Sequence, residues 1–366
     1  MVNAYEIDFL PVGEGERSGD AIAIQWFEGD RQKVLIYDGG TAAYGKDLVA
    51  HVKSHYKTDY VDYVVNSHPD NDHAGGLLHV LENLRVGEVW MHKPWDHSEK
   101  IRGFFHDGRI TDESLKERLQ EKMSAAYAVQ KAADDRKIPV YEPFAGAKIG
   151  IFTVLSPGEH RYVNDLIPAF AKSPELKKTE SVTEALDALF DKAADKVQAA
   201  ISYLAAALWN EEYLPENVET SAENDSSVII FSQTAKDGIL LTGDAGVESL
   251  KAAAAFASTN GISLGKNVTF VQVPHHGSRR NVSTDSLNLL LGEAVQQSDT
   301  PTKVAFVSAA KLAPKHPRRV VTNAFNRRGF QVFQTKGQAI CQRHNTSPRA
   351  NWRPATHVPF YYEVEE

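Results

Sequence analysis

Apolar and polar positions alternate, or run in short apolar blocks, through much of the chain. Ala4–Leu10 alternates loosely, Ala21–Trp26 is apolar, and Lys33–Tyr37 runs into the turn Asp38-Gly39-Gly40. Each reads as a short strand. Tyr44 to His55 reads as a short helix. Val61–Ser67 is rich in β-branched and aromatic residues between polar flanks, the pattern of a buried strand. It empties into His68-Pro69-Asp70-Asn71-Asp72-His73, and Gly75-Gly76 then opens an apolar stretch with helical spacing, Leu77 to Leu84. Two helical blocks follow. The first, about Asp112 to Asp135, carries Leu115, Leu119, Met123, Ala126 and Val129 on one stripe. The second opens on Ser181-Val182-Thr183-Glu184, which fits a capping box, and repeats apolar residues from Leu186 to Leu208. Between them, Lys148–Leu155 returns to strand-like sequence. Beyond Asn224 strands are predicted at Ser227–Phe231, Gly238–Thr242, Val268–Val273, Lys303–Ser308, Gln331–Gln334 and Gln338–Cys341, with a small-residue helix at Val247–Ser258. These segments describe one α/β domain over residues 1–366, with helical insertions at about 98–140 and 160–222.

Composition narrows the class. At 366 residues, 42% hydrophobic and 24% charged, the chain has ordinary globular proportions. One cysteine, Cys341, excludes an intramolecular disulfide framework and any multi-cysteine zinc site. The start has neither a basic n-region nor an apolar h-region, and no apolar run approaches bilayer-spanning length. A cytoplasmic protein with no membrane contact is the expectation. The net charge of −8 hides an asymmetry: from Thr300 to Tyr362 there are eleven Lys and Arg and no Asp or Glu. Such a basic end either orients an anionic substrate or pairs with the chain's own acidic body.

Several predicted strands end in metal-ligand residue types, and that coincidence carries the chemistry. His68 and Asp70 are two apart, and Asp72 and His73 are adjacent. In a loop just past a strand, such spacing can aim one pair at each of two divalent ions. Asp244, at another strand end, suits a bridge between them, and His275 or His276, at a third, completes the second ion's set of ligands. A polar hexapeptide alone is equally well a solvated turn. Joined in order to a strand-end Gly-Asp and a strand-end His-His-Gly-Ser, it is far more specific.

These residues resemble the metallo-β-lactamase superfamily, and within it the ComEC-type branch, the hydrolase domain attached to bacterial DNA-uptake channels. The likeness rests on the HxDxDH pattern His68, Asp70, Asp72 and His73 with Gly75-Gly76. It extends to Phe9–Gly15 with Gly19-Asp20-Ala21, Ile36–Gly40, Asn224–Val228, Leu240–Asp244, His275–Ser278, His316-Pro317 and Thr335–Ile340. It implies a metallo-β-lactamase αββα sandwich carrying two divalent ions, Zn2+ or Mn2+. His68 and Asp70 would hold one, Asp72 and His73 the other, and Asp244 would bridge them. One of His275 and His276 would be a ligand, and its neighbour would protonate the leaving group or bind substrate. Asp38 would support the metal loop from behind, and a metal-bridging hydroxide would be the nucleophile. His316, Lys315, Ser278, Arg279 and Asn224 are the candidate substrate contacts. The chain departs from the pattern where another histidine ligand usually precedes the bridging Asp, about Glu223 to Asp225, and it lacks the channel.

The leading expectation is therefore a dinuclear phosphodiesterase or nuclease acting on nucleic acid or nucleotides. A small ester, lactone, β-lactam or choline-phosphate substrate is the alternative. A third reading is a partner-regulated effector or scaffold subunit docking through the helical insertion. His79, His92, His97, His106 and His160 are read as packing or surface histidines. Trp90, Trp95 and Trp209 are read as buried aromatics.

Overall fold

The computed structural model describes residues 2–104, 110–172, 205–206, 208–234 and 236–365. Two seven-stranded sheets face each other. The first runs in the order β15 (Ile340–His344), β1 (Val2–Phe9), β2 (Ala21–Glu28), β3 (Arg31–Gly39), β4 (Tyr60–Val65), β5 (Arg85–Trp90) and β6 (Val140–Tyr141). The second runs β14 (Phe330–Gln334), β13 (Lys303–Val307), β12 (Val268–Gln272), β11 (Gly238–Leu241), β10 (Ile229–Gln233), β8 (Phe152–Ser156) and β7 (Lys148–Ile149). A separate pair joins β9 (Ala205–Ala206) to β16 (Glu363–Val364).

Alternation along the strands sorts side chains into layers. Ile22, Ile24, Trp26, Leu35, Tyr37, Val65, Phe152, Ile230, Ile239, Leu241 and Phe270 turn inward and form the core between the sheets. Ala23, Val34, Ile36, Val61 and Val64 turn outward under helices, as do Leu240, Val271, Ala305 and Val332 on the other sheet. Helix, sheet, sheet, helix is the result, the expected αββα sandwich. Because β3, β4 and β5 are mutually parallel, as are β11, β12 and β13, the chain leaves each set at one edge. Loops that follow such strands are where open α/β sheets put their chemistry.

Helix boundaries depart from the periodicity in two places. The single helix expected over 112–135 is two, Asp112–Lys122 and Ser124–Asp135, broken at Met123 (φ −108°, ψ 44°). Its stripe is nonetheless buried throughout, from Leu115 to Val129, because both halves pack on the first sheet's helical layer. Helix Gly45–His51 passes into a π-helical turn, Val52–Tyr56. The second amphipathic block lies outside the described residues except for its last few. There Ala205–Ala206 form a strand rather than continuing a helix.

Part of the basic C-terminal stretch is spent inside the protein. Arg328 is buried and pairs with Glu212 at 2.7 Å. Arg349 meets both oxygens of buried Asp8, at 2.6 and 2.8 Å, and also bonds Glu6. Burial alone would raise the Asp8 carboxyl, but His51 and Arg349 outweigh it and hold the group below the ordinary carboxylate range. Arg349→Met should therefore strand a buried carboxylate and lower stability by about 3 kcal/mol. Asp8 is depressed in the folded state, so this contribution is fully present above the unfolded value of about 4 and fades as pH falls below it. Urea midpoints of the two proteins should differ at pH 7 and converge in acid. An equal gap at both would refute the assignment.

Candidate metal centre

Asp38, one residue before the end of β3, lies in the left-handed region (φ 61°), which Asp tolerates better than most side chains. The turn lets its buried carboxylate face the next parallel strand's exit. Oδ1 accepts from Ser67 N at 2.7 Å, while Oδ2 accepts from Ser67 Oγ at 2.5 Å and lies 2.8 Å from His73 Nδ1. Close backbone approach keeps these loops together. Gly76 N donates to Gly40 O, and a Cβ on Gly76 would fall 2.0 Å from Gly39 O. Only glycine fits there.

The hydrogen bonds around Asp38 also settle two tautomers. His73 Nδ1 faces a carboxylate, so it donates. Ser67 Oγ gives its proton to Asp38 and must accept from His68 Nδ1, 2.9 Å away. Each ring, when neutral, therefore presents an Nε2 lone pair away from Asp38, held from behind as metal-binding histidines require. Both Nε2 atoms are buried without a hydrogen-bond partner.

Those nitrogens converge on Asp244, three residues past the end of β11. Asp244 Oδ2 lies 3.3 Å from His73 Nε2, 4.0 Å from His68 Nε2, 3.6 Å from His275 Nε2 and 3.9 Å from His276 Nε2. Its Oδ1 is buried without a partner. His68 Nε2 is 3.7 Å from Asp70, His73 Nε2 3.7 Å from Asp72, and His276 Nε2 3.6 Å from Asp72. Donor atoms of His68, His73 and Asp244 all lie within 4.8 Å of one another, as do those of Asp72, His73 and His276. The expected pairs are thus brought together, with His73 shared between the two groups.

His275 and His276 both adopt left-handed backbone (φ 44° and 54°), a conformation that costs of order 1–3 kcal/mol per residue. Hydrogen bonds hold the turn: His275 N donates to Gly243 O, and Ser278 N donates to His275 O. Gly277 follows at φ 82° against Pro317, and Arg318 N donates to Gly277 O. That contact brings the loop bearing Lys315, His316 and Arg318 beside the centre. Burial, then the neighbouring His275 and Arg318, pushes the half-buried His316 down to about 3. His316 is accordingly neutral, and can meet an anion only as a hydrogen-bond donor.

Charge in the centre is finely opposed. Burial lowers His68 to about 4, helped by His73. Burial also resists charge on His73 and His276, but Asp244 and Asp72 overcome it, lifting His73 well above its usual value and His276 to about 9. Asp244 itself resists ionisation through burial, yet His73, His275 and His276 hold it well below the carboxylate range. Protons here do the job a cation would do: divalent ions would displace them and take up the same lone pairs. A buried cluster of partnerless imidazole nitrogens and carboxylate oxygens fits that donor chemistry.

Other expected residues fall into place around this cluster. Of the three candidates at the missing histidine, Glu223 and Asn224 are buried in the turn Ala222–Asp225, which Ser221 caps. Glu223 pairs with Lys122 at 2.9 Å, and Asp225 binds Arg161 and Ser249. Asn224 alone reaches the centre, 3.2 Å from His275 Nδ1, with its Oδ1 buried and partnerless. His92 and His97 belong with Glu142 and Tyr162 in a separate packed cluster, and His79 bonds Asn83 at the surface. His106 lies outside the described residues. Trp95 is core, its Nε1 donating to Gln130. Ser67 and Asn281 lie outside the motif blocks, and Asp20 lies in one without an assigned role, yet all three are buried at the site. Asp20 N bonds Asp72 O, and its carboxylate accepts from Gln272.

Residues 15–159 match the family model of the metallo-beta-lactamase superfamily. No curated protein matches the chain. Among solved structures, the metallo-beta-lactamase fold protein YhfI from Bacillus subtilis is similar at 9% identity and TM-score 0.41, over 93% of this chain and all of that one. The metallo-beta-lactamase from Hirschia baltica is similar at 11% identity and TM-score 0.29, over 70% of this chain and 81% of that one. For the hydrolase AbOPH of the beta lactamase superfamily the values are 12%, 0.29, 62% and 56%, so the match spans little more than half of that protein. Among the described residues no helix is long and apolar enough to cross a membrane.

Proposed function

Taking residues 15–159 as a metallo-beta-lactamase superfamily domain, we propose that this chain is a metal-dependent phosphodiesterase acting on nucleic acid or nucleotides. The observation that carries the hydrolase reading is the convergence of His68, His73, His275 and His276 on one carboxylate oxygen of Asp244. In this reading His68, Asp70 and Asp244 would hold one divalent ion, and Asp72, His73, His276 and Asp244 would hold the other. Such a pair, when bound, supplies an activated water near neutral pH and offsets negative charge on the reacting centre. The oxygen-rich first set, with Asp70 and Asn224 where the superfamily often has histidine, suits Mn2+ as well as Zn2+.

The chain's own residues do the rest. Asp38, with Ser67, orients two imidazoles and keeps their Nδ1 atoms protonated. Arg279, Lys315 and Arg318 lie on the two loops that meet at Gly277, beside the centre, and supply positive charge for a phosphodiester. Ser278, Asn224 and neutral His316 add hydrogen-bond donors at its rim. This basic rim favours an anionic phosphate ester over a neutral lactone.

Length of substrate is read by salt. A polynucleotide held through several phosphates should lose affinity about 10^3-fold or more between 50 and 200 mM salt, whereas a nucleotide-sized substrate should lose far less. Cleavage of labelled DNA, RNA and small phosphodiesters with Mn2+ or Zn2+, repeated across that range, checks both points. No cleavage of any of them refutes the phosphodiesterase.

A further inference from the structure

Asn281 lies outside every motif, yet it touches two residues of the centre at once. It is fully buried. Its Nδ2 donates to the Asp244 carbonyl at 2.8 Å, and its Oδ1 lies 2.9 Å from His275 Nδ1. The first contact fixes which end of the amide is which, because only the nitrogen can donate to a carbonyl oxygen. The end facing His275 is therefore the oxygen, which accepts and never donates. His275 Nδ1 must carry the ring proton. In the neutral ring, Nε2 is then the bare nitrogen, and it lies 3.6 Å from Asp244 Oδ2. Asn224 Nδ2 lies 3.2 Å from the same Nδ1 while its own Oδ1 is buried without a partner; turning that amide end for end gives the ring proton a second acceptor and the orphaned oxygen a donor.

This tautomer separates the two roles open to His275. A proton donor to a leaving group needs its proton on Nε2, on the side of the reacting atoms. A metal ligand needs the reverse. Asn281 imposes the reverse, by the same device Asp38 and Ser67 use on His73 and His68. We infer that Asn281 is a positioning residue that presents His275 Nε2 as a metal donor beside Asp244, so that both His275 and His276 are ligands. The inference rests on the metal-centre reading above and assigns within it a ligand held by an amide.

The full chain with 15N-labelled histidine tests it, by long-range proton–nitrogen correlation of the metal-free protein and by titration with Zn2+ and Mn2+. Wild type should show His275 as the Nδ1–H form. Asn281→Leu should lose that preference and bind one ion about 10–100-fold more weakly. Asn281→Asp keeps an acceptor for the Nδ1 proton and should retain the tautomer and most of the affinity, which a merely structural role would not predict. His275→Ala should lower the number of tightly bound ions. Finding His275 as Nε2–H in wild type, or unaltered metal binding in both Asn281→Leu and His275→Ala, overturns the inference. A wild-type chain that binds neither ion overturns the metal-centre reading as a whole, which two-ion binding with an indifferent Asn281 would not.

Discussion

Asp244→Ala is expected to lower hydrolytic turnover by at least about 10^3-fold while leaving the sandwich folded. No other carboxylate oxygen lies within 4.0 Å of four imidazole nitrogens among the described residues. Removing it takes a shared anionic donor from both proposed sets of ligands, and losing even one preorganised contact to a developing charge costs roughly 10^2–10^3 in rate. A lost ion also removes the activation of water. Asp244→Asn is the sharper variant. The backbone contacts, Asp244 N to Ser227 Oγ and Asp244 O from Asn281, do not depend on the side chain and should persist. Only the negative charge goes, and with it the group that raises His73 and His276. Turnover of a chromogenic phosphodiester, metal content by elemental analysis and thermal unfolding should be read together. A folded Asp244→Asn protein with undiminished metal content and activity would remove the centre from consideration.

Much of this centre was legible in the sequence because each ligand-bearing loop follows a strand with an unmistakable pattern. Val61–Val65 is β-branched and aromatic, and the polar run after it cannot continue a buried strand. Leu240–Leu241 before Asp244 and Val268–Val273 before the histidine pair read the same way. The parallel pairing of β3 with β4 and of β11 with β12 then delivers their exits to one edge. What stayed hidden is the support behind the ligands. Asn281 and Ser67 are ordinary polar residues whose roles arise from partners between 1 and 37 positions away. Glu223, Asn224 and Asp225 were indistinguishable as strings. Only in the folded turn capped by Ser221 do they part, Asn224 meeting His275 while its neighbours pair with Lys122 and Arg161. The helix break at Met123 was hidden for a different reason: the apolar stripe runs through it without interruption, since both halves face the same layer.

The residue behind the ligands with the largest reach is Asp38, and its removal should be felt at two imidazoles together. In Asp38→Ala, His73 loses its Nδ1 acceptor directly. His68 loses its own indirectly, because Ser67 Oγ no longer has a carboxylate to donate to and is free to give its proton to His68 Nδ1 instead. That would move the His68 proton to Nε2 and block the atom facing Asp244. Supports of this kind are worth about 10–100-fold each in metal affinity. If the two effects multiply, binding of Zn2+ or Mn2+ should weaken by about 10^2–10^4-fold, more than any single support alone. Asp38→Asn separates charge from orientation. Oδ2 serves both Ser67 Oγ and His73 Nδ1, so an amide oxygen in its place keeps both imidazoles oriented while the nitrogen meets the Ser67 N–H, leaving an intermediate affinity. Competition titrations against a chelator of known affinity would rank the three proteins. Equal affinities for Asp38→Ala and Asp38→Asn would mean that the carboxylate acts through its charge alone, not by fixing where two protons sit.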